Sequence, residues 1–204
     1  ADLATHGAST VLGVDQSAEA IDLAQRSFQL RGLTFQRMDL AQLVQLGSRQ
    51  FDVIFSSNVL EHFAGIQQFL HGAVQRLTPE GLFILAVPPI LDQASRENEL
   101  LNPHHLNIWT PEQWMHTLGQ YFRTIQLYRH AFDRDDVTLD LSNVPEVCRI
   151  TEADFSFIPC SIEEMREHGT LTAVMLARTP RPESERPAPG APIEFIDDSF
   201  TRSA

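Results

Sequence analysis

The stretch Thr10-Val11-Leu12-Gly13-Val14-Asp15-Gln16-Ser17-Ala18-Glu19-Ala20-Ile21 decides the fold. A short apolar run ends in an acid and an amphipathic segment follows at once, the pattern of a strand, a corner and a helix. Ser17 is placed to cap that helix and Glu19 to meet its dipole. Ile21, Ala24 and Phe28 fall at i, i+3 and i+7 and predict one buried face. An acid delivered by the carboxyl end of such a strand sits where open α/β folds grip the ribose hydroxyls of a nucleoside cofactor. The carboxylate of Asp15 can accept from both hydroxyls of a diol. Its bland alternative is a turn-forming Asp that caps the helix after it.

Working outward, Ala1 to Ala8 reads as the end of a helix stopped by Gly7. Leu33 to Met38 is a second strand ending at Asp39, and residues 40–46 make a helical turn before Gly47. Phe51 to Ser57 is a third strand, whose near-continuous apolar centre suits a parallel sheet buried on both faces. Ile66, Phe69, Leu70, Ala73, Val74 and Leu77 give the cleanest helical face in the chain. Thr78-Pro79-Glu80-Gly81 breaks it, and Leu82 to Val87 is a fourth strand halted by Pro88-Pro89. Strand and helix therefore alternate through residue 88, which calls for a doubly wound, mostly parallel sheet.

Residues 90–109 lack periodicity and read as a long loop or lid carrying His104, His105 and Trp109. Thr110-Pro111-Glu112-Gln113 is a capping box with proline at the first helical position. Phe122 to Phe132 alternates as a strand, residues 133–153 are acidic and irregular, and Leu171 to Ala177 is a last strand. Strands in such close succession predict an antiparallel finish at one edge. Residues 179–204 hold Pro180, Pro182, Pro187, Pro189 and Pro192 among scattered charges, the composition of a disordered or loosely attached extension. The expected organisation is a domain over 1–178 and a tail over 179–204.

With 204 residues, 43% of them hydrophobic, the chain has material for one core. A formal charge of −12 and no basic stripe speak against nucleic acid as a main partner, because neutralising phosphates takes clustered Lys and Arg. No apolar run has the length of a membrane span, and the first residues are not a signal peptide. Cys148 and Cys160 read as two reduced thiols, so a cytoplasmic location is expected.

The segments Val11 to Ser17, Met38-Asp39-Leu40, Phe51 to Phe63 with its Leu60-Glu61-His62-Phe63 turn, and Leu77-Thr78-Pro79-Glu80-Gly81-Leu82-Phe83-Ile84-Leu85 resemble, in order, four segments of the class I S-adenosylmethionine-dependent methyltransferases. The resemblance lies with the small-molecule branch and covers about residues 1–130. It implies a Rossmann-like fold, S-adenosylmethionine as cofactor and methyl transfer to a small-molecule acceptor, a hydroxyl first among the candidates. The family's first strand and Gly-rich loop have no counterpart here. The resemblance therefore implies an N-terminally truncated domain that binds the cofactor poorly by itself. The alternatives are a non-catalytic methyltransferase-like binding module and a nicotinamide-dependent oxidoreductase, whose second strand also ends in an acid.

By family position Asp15 takes the ribose, Gln16 borders the adenine, and Asp39 accepts from the adenine amino group between Met38 and Leu40. Ser57 and Asn58, after Ser56, sit at the next strand's carboxyl end, where ligands of open sheets lie. His105 and His62 are the candidate general bases, since histidine titrates near neutrality and suits deprotonating a hydroxyl. Some relatives carry a Glu-x-x-Glu-His metal segment at this turn. Here Asn58 replaces its first Glu, while His105-Leu106-Asn107-Ile108-Trp109-Thr110 resembles a downstream piece of those relatives, so Glu61, His62 and His105 are the ligand set if a metal binds; since the Leu-Glu-His turn also occurs in members without one, no metal is expected. Trp109 and Trp114 are expected to pack rather than to stack on bases.

Overall fold

The computed structural model describes residues 1–133, 151–193 and Phe195. Cys148 and most of the stretch read as acidic and irregular lie outside the described residues. The chain begins with the short helix α1 (Asp2–Thr5), β1 (Val11–Asp15), α2 (Ala18–Ser27) and β2 (Leu33–Arg37). A 3-10 segment over Leu40–Leu46 leads to β3 (Phe51–Ser57). After the Leu60–His62 turn come α3 (Ile66–Arg76), β4 (Leu77–Val87), α4 (Gln93–Leu100) and α5 (Pro111–Gly119). The last part holds β5 (Phe122–Phe132), β6 (Phe155–Pro159), α6 (Ile162–His168) and β7 (Ala173–Pro180).

The opening stretch folds as its pattern predicts. Ser17 caps α2, its Oγ accepting from the Ala20 N–H at 3.2 Å. The helix stops at Ser27, so Ile21 is buried but Phe28, just past its end, is 46% exposed. The buried face of α2 is therefore narrower than the i, i+3, i+7 spacing suggests. Gly13 is required by close packing: a Cβ there would lie 2.6 Å from the Phe35 ring on β2.

The strands form two pieces. β1 and β2 pair in parallel, and a five-stranded sheet runs in the order β3-β4-β7-β5-β6. β3 and β4 are parallel; β7 is antiparallel to β4, β5 to β7 and β6 to β5. This is the expected parallel start with an antiparallel finish. Among the described residues β1 and β3 each pair with a strand on one side only.

One face of the larger sheet carries the core. Phe83, Leu85 and Val87 of β4 are fully buried with Ala173, Met175 and Ala177 of β7. α3 meets that face through Phe69, 5.8 Å from the Phe83 ring, and Phe122 stacks on Phe83 at 5.8 Å. Trp114 and Leu118 of α5 and Met165 of α6 complete the same cluster. The opposite face is thinly covered. Cross-strand register places Phe55 beside Ile84 and Ile84 beside Leu176, and Phe55 and Val53 are 57% and 45% exposed.

Several features depart from the sequence reading, among them β4, which starts at Leu77 and runs through Thr78-Pro79-Glu80-Gly81 instead of starting at Leu82. Residues 90–109 contain a helix, α4, opened by an Asp92/Ser95 capping box; it buries none of its residues and so shows no apolar period. β6 and α6 were also unanticipated, although Ser161 and Glu164 make a second capping box that the sequence displays. The Pro-rich stretch after residue 179 is seated on the domain through residue 193. The Arg181 N–H donates to the Tyr121 carbonyl, and Glu185 pairs with Arg123 at 2.6 Å and Arg181 at 3.2 Å. Ile193 packs on the core, and the Phe195 ring meets Trp109 at 4.9 Å. No helix among the described residues is long and apolar enough to cross a membrane.

Phe83 holds this core between α3 and β5. Phe83→Ala is expected to lower the unfolding free energy by about 3–5 kcal/mol, read as a fall in urea midpoint at unchanged slope.

Candidate functional site

The carboxyl ends of β1 and β2 build the first half of the site. Asp15 is exposed at the end of β1, and one of its oxygens accepts the Ser17 N–H at 2.7 Å. The chain returns beside it through β2: the Met38 N–H donates to the Asp15 carbonyl at 2.8 Å, and Arg37 Nε donates to the Gln16 carbonyl at 3.0 Å. Asp39 caps the following 3-10 segment, accepting from the Ala41 N–H at 2.9 Å. Between these ends lies a cleft of about 440 Å³ lined by Gln16, Arg37, Met38, Asp39 and Gln42. Leu40 packs against the core instead of lining the cleft. Arg37 and Gln42 line it without having been singled out in the sequence. A larger opening of about 800 Å³ beside Thr151, Glu152, Ala153 and Phe155 contains none of the candidate groups.

The carboxyl end of β3 builds the second half. Ser57 is half-buried there, and Asn58 takes a left-handed backbone with φ of 49° while its N–H donates to the Ala86 carbonyl at 2.9 Å. Asn is among the few residues that tolerate this region. The left-handed residue turns the chain directly into the Leu60–His62 segment.

That turn is clasped to residues 104–107. The Glu61 carbonyl accepts N–H groups from Leu106 at 2.7 Å and Asn107 at 2.9 Å. Asn107 Nδ2 donates to the carbonyls of Leu60 and Phe63, each at 2.7 Å. His62 Nδ1 lies 3.0 Å from the His104 carbonyl. A carbonyl only accepts, so Nδ1 carries the proton and Nε2 of the neutral ring presents its lone pair. Asn107 gave no signal in the sequence, because its role depends on a contact 44 and 47 residues away.

The clasp brings together three of the groups the sequence singled out. One donor atom from each of Glu61, His62 and His105 lies within 4.8 Å of the others. The two imidazole rings meet edge to face at 4.5 Å. The Glu61 side chain is 3% exposed, and its Oε2 has no hydrogen-bond partner among the described residues. Burial holds its carboxyl above the ordinary carboxylate range, and nearby Glu99 pushes the same way. Its own backbone N–H and the two histidines pull in the opposite direction. His105 Nδ1 in turn lies 2.5 Å from Glu99 Oε2. Trp109 and Trp114 pack on each other at 4.5 Å, as expected.

The parallel start and antiparallel finish are shared with solved methyltransferases. A solved S-adenosylmethionine-dependent methyltransferase of Thermotoga maritima superposes with a TM-score of 0.60 at 13% identity, over 82% of this chain and 72% of that one. Residues 1–85 match the family model described as a methyltransferase domain, which bears out the resemblance drawn from the sequence. The ubiquinone biosynthesis O-methyltransferase of Bartonella tribocorum is 30% identical over 79 residues, 38% of this chain and 32% of that protein. The enzyme of the same description from Chelativorans sp. is 27% identical over 144 residues, 70% of this chain and 55% of that protein. The chain thus spans between a third and a little over half of the length of these curated relatives.

Removing the Asn107 amide deprives the Phe63 carbonyl of its donor and leaves the Leu60 carbonyl the Phe63 N–H at 3.2 Å, a loss of about 1–3 kcal/mol. Asn107→Ala is expected to speed hydrogen exchange at residues 60–63 and 104–107 well beyond any change in the β4–β7 core. Uniform exchange in both regions would show that the clasp is not a local device.

Proposed function

We propose that this chain is part of an S-adenosylmethionine-dependent methyltransferase that acts on a small-molecule acceptor, most simply a hydroxyl. The observation that carries the reading is the cleft between the ends of β1 and β2, which Gln16, Met38 and Asp39 line beside the exposed carboxylate of Asp15. These residues suit the nucleoside half of the cofactor: an acid for a diol, an acid for an amino group, and soft apolar surface for a base. When bound, S-adenosylmethionine supplies an electrophilic methyl group on a sulfonium. The chain's own residues align the acceptor and take its proton on a histidine, His105 in this proposal, with His62 beside it. The small-molecule acceptor accords with the description of the two curated relatives. Among the described residues β1 and β3 each leave one edge unpaired, with Phe55 and Val53 exposed, which supports a further strand between them.

A second reading concerns the Glu61, His62 and His105 cluster. Its donor set fits a divalent cation, and the specific observation in favour is the buried, unpartnered Glu61 oxygen. One carboxylate and two imidazoles would leave coordination positions open.

Calorimetry tests both. In a version extended at the amino terminus, Asp15→Ala is expected to weaken binding of S-adenosylhomocysteine tenfold or more. The 204-residue chain itself is expected to bind at least tenfold more weakly than the extended one. Equal affinities would remove the proposed extra strand, and an unchanged affinity in Asp15→Ala would remove the ribose role. Titration with zinc or manganese separates the cluster's roles: binding that Glu61→Gln abolishes supports the cation, and no heat at any concentration removes it.

A further inference from the structure

We infer that Glu99 is the positioning residue for His105, fixing which ring nitrogen faces the reacting groups. The inference rests on the reading of His105 as the group that receives the acceptor's proton. It goes beyond that reading by assigning a role to a residue on α4 that neither motif nor spacing marks.

The local fold makes the contact. α4 ends at Leu100, and the Leu101 N–H returns to the Asn98 carbonyl while the Asn102 N–H returns to the Glu99 carbonyl, each at 3.1 Å. Asn102 then directs the next turn: its side-chain oxygen accepts the His104 N–H at 3.0 Å and its carbonyl accepts the His105 N–H at 3.1 Å. These two turns bring His105 back onto the last turn of the helix, with Nδ1 at 2.5 Å from Glu99 Oε2. The side chains of His105 and Glu99 are 13% and 20% exposed. The pair is therefore shielded in a way that surface ion pairs are not, and its charge-assisted hydrogen bond is of the strong kind.

The consequence is chemical. A carboxylate can only accept, so Nδ1 must hold a proton and Nε2 of the neutral ring carries the lone pair. His62 reaches the same state by donating Nδ1–H to the His104 carbonyl. Both rings of the cluster are thus set with Nε2 unprotonated when neutral. A proton taken up by His105 makes an imidazolium beside a carboxylate, which stabilises the charge as it forms. Should the cluster hold a cation, the same pair orients the ligand, as an outer carboxylate does for a metal-bound histidine.

Long-range nitrogen–proton NMR of the 204-residue chain, recorded over a pH series and read on the neutral ring, tests the inference without any turnover. His105, assigned from its absence in His105→Gln, is expected as the Nδ1–H tautomer in the wild type and in Glu99→Gln, whose amide oxygen still accepts. In Glu99→Ala it is expected to shift to mainly Nε2–H, with the amide spectrum elsewhere unchanged. An Nε2–H tautomer in the wild type, or an unaltered tautomer in Glu99→Ala, overturns the inference. In the extended enzyme, Glu99→Gln keeps the tautomer but loses the charge. Its kcat is expected to fall about tenfold with acceptor KM within threefold, and an unchanged kcat removes the charge-stabilising part. Absence of methyl transfer in the extended wild type would overturn the functional reading, while the tautomer measurement would still decide the role of Glu99.

Discussion

The carbonyl of Glu61 accepts two backbone N–H groups from residues 106 and 107, and the arrangement of the candidate cluster depends on that junction. It ties the turn after β3 to a segment that would otherwise be a surface loop. Asn107 and His62 add three more bonds across the same seam. Each is worth about 1 kcal/mol net. Their sum is of the same order as the several kcal/mol that desolvating one carboxylate costs. The clasp can therefore offset the burial of the Glu61 side chain, which its own unpartnered oxygen does not.

The second constraint is the divided sheet. Parallel strands are normally buried on both faces and bordered on both edges. β4 meets that condition, with β3 on one side and β7 on the other, and every odd-numbered residue of its last stretch, Phe83, Leu85 and Val87, is buried. β3 does not: its inward-alternating Ile54 packs on the core while Val53 and Phe55 remain open. β1 is held to the rest through Val14 and through Met38 in the core cluster, not by pairing with β3. The two halves of the cofactor-type site therefore stand on separate pieces of sheet, each internally well defined.

What the sequence disclosed follows from how locally each feature is encoded. The strand before Asp15, the apolar face of α3 and the Thr110–Gln113 capping box depend on residues within one or two turns of each other, and all are present. α4 was illegible because it buries nothing, so its cap was the sole signal. The loop reading of residues 90–109 therefore hid the element that presents Glu99. The convergence of Glu61, His62 and His105 was expected only through the family resemblance, as a ligand set, and not from spacing, since residues 61 and 105 meet through the long-range clasp of residues 104–107. Leu40 illustrates the converse: its neighbours Met38 and Asp39 line the cleft, while Leu40, the first residue of the 3-10 segment, packs on the core.

Asp15 shows how two readings of one residue can both hold. The bland reading, a turn-forming Asp, is met by the Ser17 N–H at 2.7 Å. That bond occupies one of about four lone-pair sites on the carboxylate. A ribose diol needs two, so capping leaves enough for the nucleoside. The cap holds one oxygen to the backbone of the corner, so in the proposed ribose role less side-chain entropy would be lost on binding. The choice between cap and ligand that the sequence poses is thus not exclusive. The strand end that turns the chain therefore keeps acceptor capacity for the proposed nucleoside.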